Sequence, residues 1–262
     1  MGYIRKLSDR INAVSNHIVV GLDPEKEKIP LIFNRFKNPV FEFLNRIIHL
    51  TKDTVCGYKF NLAFFEYYGE EGQEALNLLM KNIPEGLIKI ADAKRGDIGN
   101  SSKMYAKTYF EKMDFDAVTV SPYMGTESIK PFLTDSEKFV YVLALTSNKD
   151  AEMLQMLKTE KGFLYEEVVR LFLSEFSGQV GFVFGANHTE EIKMITKKYP
   201  NLPLLIPGIG AQGGDKKQLE NSLTNNLYLI NSSRGIIYSA GKDSSEEEFV
   251  LKISESLQRL LL

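Results

Sequence analysis

Eight short apolar runs, each ended by Gly, Pro, Asn or Asp, recur along the chain and limit its fold more than any other feature. Their nearly continuous Val, Ile and Leu character is typical of parallel strands that are covered on both faces. Amphipathic segments separate the runs; in residues 39–50, for example, Pro39 opens a stretch with apolar residues at helical spacing. The runs span residues 17–23, 55–61, 86–94, 115–122, 139–147, 179–187, 202–210 and 226–235.

Eight strand–helix units in 262 residues favour an α/β protein of the (β/α)8 or TIM-barrel class, with an extra helix before the first strand. A doubly wound open sheet is the alternative, but that architecture usually has fewer strands. No linker, low-complexity tract or second compositional regime interrupts the chain, so we expect a single barrel domain over residues 1–262. The barrel hypothesis places functional side chains at the carboxyl ends of the strands.

Composition narrows the class of protein. The 44% of hydrophobic residues can form one large core, and the net charge of −2 leaves no electrostatic footprint for nucleic acid or an anionic membrane. Cys56 is the only cysteine, which excludes an internal disulfide and predicts a small buried side chain. No apolar stretch approaches the ~20 residues of a membrane span, and the first residues lack the apolar core of a signal peptide. We therefore expect a cytoplasmic protein.

Charged residues crowd the end of the third run, in IADAKRGDIGN (90–100), where an ordinary turn would be expected. Residues two apart on a strand point to the same face, so Asp92 and Lys94 should both project into the barrel mouth. Lys59, at the end of the second run, should face the neighbouring inward position. Asp97 follows a glycine at which the chain can turn, so strand alternation does not predict its direction.

Two interpretations of this charged segment remain open. Nearby carboxylates should keep Lys94 protonated near neutral pH, and a protonated lysine is a poor Schiff-base nucleophile but a competent acid. The structural alternative is an ion-pair network that closes the barrel end, with Asp97 or Asn100 capping a helix that begins near Ser101. Burying charged groups costs free energy, so the density of charge on this buried strand favours a catalytic role over a purely structural one.

Glycine-rich segments follow the last two runs: IPGIGAQGGD (206–215) and NSSRG (231–235). Glycine lets backbone N–H groups approach a phosphate closely, and Arg234 offers a bidentate charged fork. Phosphate sites in this fold recur after strands 7 and 8. We therefore expect a phosphorylated ligand, with Gln212 on a hinged loop over it; a flexible loop and a surface arginine are the alternative.

Two further features stay open. The segment 148–162 after the fifth run either covers the site or makes a surface excursion. The three histidines have no metal-ligand spacing, and His188, at a helix start, is expected to cap that helix or to face solvent.

Taken in order, these segments resemble those of orotidine 5′-monophosphate decarboxylases over nearly the whole chain. DAKRGD (92–97) has that family's Asp-x-Lys-x-x-Asp pattern, and its Lys-Arg-Gly resembles a longer, type 2-like subgroup. The other matching segments are VGLDP (20–24), YKFN (58–61), ADAKRGDIGNSS (91–102), TVSPYMG (119–125), ALTSN (144–148), PGIGAQGGD (207–215) and SSRG (232–235). The resemblance implies decarboxylation of orotidine 5′-monophosphate to uridine 5′-monophosphate without cofactor or metal, the last step of de novo pyrimidine synthesis.

The resemblance also implies residue roles. Lys94 would protonate C6 of the pyrimidine, flanked by Asp92, and the enzyme would be a homodimer in which Asp97 reaches the partner subunit's site. The implied catalytic residues are Lys94, Asp92, Asp97 and Lys59. The implied substrate contacts are Asp23 and Lys59 at the ribose with Asn61 nearby, Thr146 and Ser147 at the pyrimidine edge, Pro207 in the pocket wall, Gln212, Arg234 and Gly235 at the phosphate, and Ile98 and Ser101 across the interface. One departure is Ser233, where many relatives carry glycine.

Other functions fit parts of the same pattern. Mg²⁺-dependent sugar-phosphate decarboxylases and aldolases, such as 3-keto-gulonate-6-phosphate decarboxylase and hexulose-6-phosphate synthase, share the barrel and resemble the chain at Asp92 and Lys94. They carry a glutamate metal ligand where this chain has Lys59. A Schiff-base aldolase would use Lys59 or Lys94 as its nucleophile. A non-catalytic sensor of nucleotide phosphates would keep the phosphate loops alone, which the intact charged segment disfavours.

Overall fold

A computed structural model of the protein describes residues 2–209 and 216–261. The strands of these residues are β1 (Ile18–Leu22), β2 (Gly57–Asn61), β3 (Ile88–Arg95), β4 (Ala117–Val120), β5 (Phe139–Leu145), β6 (Lys158–Thr159), β7 (Gly162–Phe163), β8 (Val180–Phe184), β9 (Leu204–Pro207) and β10 (Tyr228–Ser232). β6 and β7 form a small antiparallel hairpin, and the other eight strands close into a parallel barrel in the order β1-β2-β3-β4-β5-β8-β9-β10. The predicted (β/α)8 barrel is confirmed, and each predicted run coincides with one barrel strand, although β3 extends one residue beyond its run.

Helices surround the barrel. They are α1 (Tyr3–Val14), α2 (Pro39–Thr51), α3 (Leu62–Tyr67), α4 (Gly69–Asn82), α5 (Gly99–Lys107), α6 (Ala151–Gln155), α7 (Leu164–Phe176), α8 (Thr189–Lys198), α9 (Lys216–Ser222), α10 (Arg234–Ile237) and α11 (Glu246–Leu261). α2 begins where the sequence predicts, because the Asn38 side chain accepts the Phe41 N–H at 3.0 Å and Pro39 occupies the first turn. None of the described helices is long and apolar enough to cross a bilayer.

The predicted extra helix, α1, packs its apolar face on the barrel interior at the end where the strands begin. The Tyr3 ring stacks on Phe139 with centroids 4.5 Å apart, and its hydroxyl lies 3.0 Å from that of Tyr141. Cys56 is buried in the same cluster, and burial raises the pKa of its thiol to about 12. The burial of Cys56 confirms the prediction of a small buried side chain, and the raised pKa leaves its thiol protonated and unreactive.

Inward-facing positions change from apolar to polar along the strands. Ile90 on β3 lies in the apolar interior, and Asp92 follows it on the same face. On β10, Leu229 is followed in the same way by Asn231. Because of strand alternation, the barrel interior is filled by apolar side chains near the amino ends of the strands and lined by polar side chains at their carboxyl ends.

Candidate active site

A cavity of about 420 Å³, called here the mouth cavity, opens at the carboxyl ends of the barrel strands. Its volume is within the usual range of small-molecule sites. Each of the eight barrel strands, or the residue directly after it, contributes to the wall. The predicted site residues that line it are Asp23, Lys59, Asn61, Asp92, Lys94, Thr146, Ser147, Pro207 and Arg234.

Lys59 lies inside the barrel on β2, with only 4% of its side chain exposed. Its Nζ donates to Asp92 Oδ2 at 2.7 Å and pairs with Asp23 Oδ1 at 3.5 Å. Burial by itself lowers the pKa of an ammonium, but the two carboxylates outweigh it, and the pKa of Lys59 is raised above its ordinary value. Lys59 is therefore a cation held between two anions.

Asp92 connects Lys59 to Lys94. While its Oδ2 accepts from Lys59, its Oδ1 accepts from Lys94 Nζ at 2.6 Å and from the Thr119 hydroxyl at 3.0 Å. Burial raises the pKa of a carboxyl, but the ammonium groups of Lys59 and Lys94 outweigh it and hold the pKa of Asp92 well below its usual range. The carboxylate stays ionised, and together with Asp23 it balances the two ammonium groups. These four residues are called the charge cluster below.

Lys94 reaches Asp92 by a backbone route that strand alternation does not predict. Its φ is +48°, in the left-handed region that residues other than glycine rarely adopt. Four steps along β3, over 91–95, match only two steps along β4, over 118–120, so β3 bulges by two residues here. The expected convergence of the two side chains is present, but the bulge produces it rather than a regular alternation. The Lys94 side chain is half-exposed at the mouth.

Thr119 on β4 belongs to the site, although the sequence argument missed it. It is buried, lines the mouth cavity, and accepts the Lys94 backbone N–H at 3.0 Å while donating to Asp92. The available signal was alternation, because Thr119 stands two positions beyond the inward-facing Ala117. The hydroxyl of Ser121, the residue directly after β4, accepts the backbone N–H of Tyr123 at 3.4 Å.

Four of the predicted site residues that the structure describes are absent from the lining of their own chain's mouth cavity: Asp97, Ile98, Ser101 and Gly235. The Ile98 side chain is exposed, and its N–H donates to Asp97 Oδ1 at 2.8 Å. α5 begins at Gly99 with no side-chain cap, so neither Asp97 nor Asn100 caps it as the structural alternative required. The left-handed turn in this loop is at Gly99, with φ +51°, and not at Gly96.

Thr146 and Ser147 follow β5 directly. The Thr146 N–H donates to Gln155 Oε1 at 2.7 Å, and Gln155 Nε2 donates to the Thr146 hydroxyl at 2.9 Å. Gln155 ends α6 and lines the mouth cavity, so the segment 148–162 contributes to the site rather than making a surface excursion alone.

His188 supports Thr146 from the other side. It is buried, and its Nε2 lies 3.1 Å from the Thr146 carbonyl oxygen. His188 does occupy the position before the first turn of α8, but its side chain makes no capping bond. The expectation that it caps or faces solvent was wrong, because it packs behind the end of β5.

The expected phosphate side of the cavity contains Arg234, which with Gly235 begins α10. The Ser233 hydroxyl donates to the Gly21 carbonyl oxygen at 2.9 Å. Only glycine fits at position 21, because a Cβ there would lie 2.8 Å from Ser233 Cβ. Gln212 lies outside the described residues.

Two buried acceptors of the mouth cavity have no hydrogen-bond partner among the described residues: Asp23 Oδ1 and Asn231 Oδ1. The ion pair of Asp23 with Lys59, at 3.5 Å, is too long for a good hydrogen bond. Buried polar atoms are normally satisfied, so these two acceptors are candidate positions for the donors of a ligand. The sequence argument also missed Asn231, although alternation from Leu229 pointed to it.

Residues 16–249 match the protein-family model described as the orotidine 5′-phosphate decarboxylase / HUMPS family. The chain belongs to this family. It is 43% identical over 268 residues to the orotidine 5′-phosphate decarboxylase of Dehalococcoides mccartyi (strain CBDB1), an alignment that covers 99% of this chain and 96% of that protein. Its identity to the Flavobacterium johnsoniae enzyme of the same name is 42% over 267 residues, covering 98% and 97%. The solved structure of Leishmania donovani OMP decarboxylase superposes with a TM-score of 0.81 at 33% identity, covering 98% of this chain and 99% of that one.

The position of Lys59 helps to decide whether this member of the orotidine 5′-phosphate decarboxylase / HUMPS family has a site for Mg²⁺. Mg²⁺ is held by carboxylate and other oxygen ligands, and here an ammonium lies between the carboxylates of Asp23 and Asp92. In residues 2–209 and 216–261, no three His, Cys, Asp or Glu side chains gather in an arrangement that could hold a metal. The charge cluster therefore does not fit a magnesium site.

Proposed function

We propose that this protein decarboxylates orotidine 5′-monophosphate to uridine 5′-monophosphate without a cofactor. The observation that carries the proposal is the charge cluster, in which Lys59 and Lys94 flank Asp92 at the mouth of a barrel of this family. Relatives of more than 40% identity over their full length bear the name orotidine 5′-phosphate decarboxylase. Family, fold and local chemistry thus support the same reaction.

The reaction needs a fixed positive charge. Loss of CO2 breaks the bond between C6 and the carboxylate and leaves its electron pair in the ring plane on C6, where the π-system cannot delocalise it. The Lys94 ammonium, held by Asp92, stabilises that carbanion and then transfers a proton to it, giving uridylate and a neutral lysine that regains its proton from water. Lys59 fixes the other oxygen of Asp92, so the charges are in place before substrate binds.

The remaining residues of the cavity bind the substrate away from C6. Asp23 and Lys59, with Asn61, contact the ribose, and the unsatisfied Asp23 oxygen suits a donating hydroxyl. Thr146 and Ser147 contact the pyrimidine edge, and Pro207 lines the pocket. The phosphate is bound by Arg234, Gly235 and Gln212. Binding energy from this remote group holds the ring against the charge cluster.

A homodimer would complete the site. Asp97, Ile98 and Ser101 lie outside their own chain's cavity lining and are proposed to enter the partner subunit's site. α5 packs against residues 126–133. Four large apolar side chains, on α5 and in the loops just before α5 and just before residue 126, are exposed and are here called the apolar patch: Ile98, Met104, Tyr123 and Met124. Exposed apolar surface of this kind marks an association face, and closed symmetric dimers are the commonest assemblies.

The test of the proposed function is the loss of orotidylate absorbance with purified protein after treatment with EDTA. We expect full turnover to uridylate and CO2, unchanged by added Mg²⁺. Turnover of a sugar phosphate that EDTA abolishes would instead support the magnesium-dependent branch of the family. Tight binding of uridylate without CO2 release would identify a sensor, and a borohydride-trapped adduct on Lys94 or Lys59 would identify Schiff-base chemistry.

A further inference from the structure

The Thr119 hydroxyl forms a bridge that the roles proposed so far leave unassigned. Thr119 lies on β4 with 1% of its surface exposed, facing the mouth cavity. Its oxygen is 3.0 Å from the Lys94 backbone nitrogen and 3.0 Å from Asp92 Oδ1. One hydroxyl therefore contacts both the backbone of the lysine and the carboxylate that binds that lysine's side chain.

The direction of these two hydrogen bonds is fixed by chemistry. A backbone N–H can only donate and an ionised carboxylate can only accept. The Thr119 oxygen must therefore accept from Lys94, and its single hydrogen must go to Asp92. No other rotation of the hydroxyl satisfies both neighbours, so these two hydrogen bonds have one possible assignment of donor and acceptor.

The bulge in β3 explains why the Lys94 backbone N–H needs a side-chain acceptor. Over 91–95 the strand leaves its regular pairing with β4, and Lys94 adopts a φ of +48°. A residue in the left-handed region is strained unless its surroundings hold it there. The Lys94 N–H finds its acceptor in the Thr119 side chain instead of the β4 backbone. The hydroxyl thus stabilises the backbone conformation that turns the lysine toward Asp92.

We propose that Thr119 is a positioning residue for the decarboxylation: its hydroxyl fixes the left-handed Lys94 and aligns Asp92, so that the Lys94 ammonium is aimed before substrate binds. This inference rests on the proposed function for its kinetic consequence, but its structural part stands without it. Thr119 touches neither C6 nor the phosphate in this account, so it acts through Lys94 and Asp92.

The test compares T119V with T119S. Valine matches threonine in shape but removes the hydroxyl, whereas serine keeps the hydroxyl and loses only a methyl group. We expect T119V to lower kcat by about 10- to 100-fold, because a small misplacement of a catalytic group has effects of that order. The KM for orotidylate and the Kd for uridylate should stay within about twofold, since the groups that bind ribose and phosphate are unchanged. T119S should restore kcat to within about threefold of the wild type.

T196V is the matched control. Thr196 is equally buried, and its hydroxyl donates to the Ile192 carbonyl oxygen inside α8, outside the mouth cavity. It should lose a similar amount of thermal stability while keeping kcat. If T119V does not fold, T119A and T119S carry the same comparison, with alanine losing kcat and serine keeping it.

A crystal structure of T119V separates this inference from the proposed function. We expect Lys94 to leave the left-handed region and its Nζ to move beyond hydrogen-bond distance of Asp92. An unchanged Lys94 in that structure, or a T119V kcat equal to that of T196V, would overturn the inference. An equal loss of kcat in T119S and T119V would also overturn it. Wild-type protein that fails to convert orotidylate would refute the proposed function, and the crystal structure would still decide the role of the hydroxyl.

Discussion

Lys59 is a charged residue inside the barrel, and its surroundings show how a buried charge is stabilised. An ammonium buried to this degree has lost most of its hydration, and among the described residues the carboxylates of Asp23 and Asp92 replace it. Buried ion pairs contribute little to stability relative to apolar packing, but removing one partner leaves the other uncompensated. The charge cluster is thus a poor source of stability, and its value lies in presenting oriented charge to a reacting atom.

Asp92→Asn tests this interdependence. We expect the free energy of unfolding to fall by about 3 kcal/mol near neutral pH, because the variant leaves two ammonium groups facing one carboxylate. Asp114→Asn is the control: Asp114 pairs with Lys89 and Lys138 but is largely exposed, so its loss should be about 1 kcal/mol or less. Urea denaturation of both variants and the wild type measures the difference. Equal losses would contradict the account.

The pH dependence of that difference has a definite sign. The folded-state pKa of Asp92 lies below its ordinary value of 3.8, so its contribution is present above that pH and is lost as pH falls through the folded-state value. The folded-state pKa of Lys59 lies above 10.5, so its contribution is fully present below that pH and is lost as pH rises further. The effect of Asp92→Asn should therefore be constant from about pH 5 to 9 and shrink in acid. Urea denaturation repeated from about pH 9 down to about pH 3 is the measurement, and an effect that grows in acid would contradict this expectation.

At the scale of elements, the strands were predictable and the bulge was not. Each barrel strand is a short apolar run with a polar end, and that pattern is local. The left-handed conformation of Lys94 depends on Thr119, which is 25 residues away on β4. The sequence around Lys94 therefore does not predict that conformation. The burial of His188 likewise depends on its contact with Thr146, 42 residues away. The charged residues of the site were found because charge on a buried strand is conspicuous, whereas Thr119 and Asn231 carry no charge and threonine is common in strands.

α6 contributes to the site through Gln155, its last residue, and this contact can be tested. Gln155 bonds both the backbone N–H and the hydroxyl of Thr146, so the proposed contact of Thr146 with the pyrimidine depends on this segment. We expect Gln155→Ala to raise the KM for orotidylate by about tenfold with a smaller change in kcat, because two hydrogen bonds that position a binding residue are lost. Steady-state kinetics measures both parameters.

Gln73→Ala is the control for Gln155→Ala, since Gln73 is an exposed glutamine on α4 that bonds Asn77. It should leave KM and kcat unchanged. A Gln155→Ala enzyme with wild-type KM would show that Thr146 is held adequately without α6.

At the scale of the whole molecule, the proposed dimer makes each site depend on two chains. Lys94→Ala and Asp97→Ala homodimers should both be nearly inactive. After unfolding and refolding of an equal mixture, half of the dimers should be mixed, and each mixed dimer should hold one complete site of two. We therefore expect about one quarter of wild-type activity to return. No recovery, in a mixture shown to contain mixed dimers, would place Asp97 in its own chain's site.

The apolar patch gives an independent test of the same assembly. Met104→Glu places a charge within this patch, and should shift the protein to a monomer in sedimentation and lower its activity. Met194→Glu, at an equally exposed methionine on α8, is the control and should change neither property. A Met104→Glu protein that remains fully dimeric would remove the patch from the interface.

The central claim is that the Lys94 ammonium stabilises and then protonates a carbanion at C6. Its most direct test is the single-turnover rate of orotidylate decarboxylation by Lys94→Ala protein, with Lys81→Ala, a change at an exposed lysine on α4, as the control. The account predicts a loss of about 10²- to 10⁴-fold for Lys94→Ala and none for the control, with uridylate binding retained. Conversion by Lys94→Ala at the wild-type rate would contradict it.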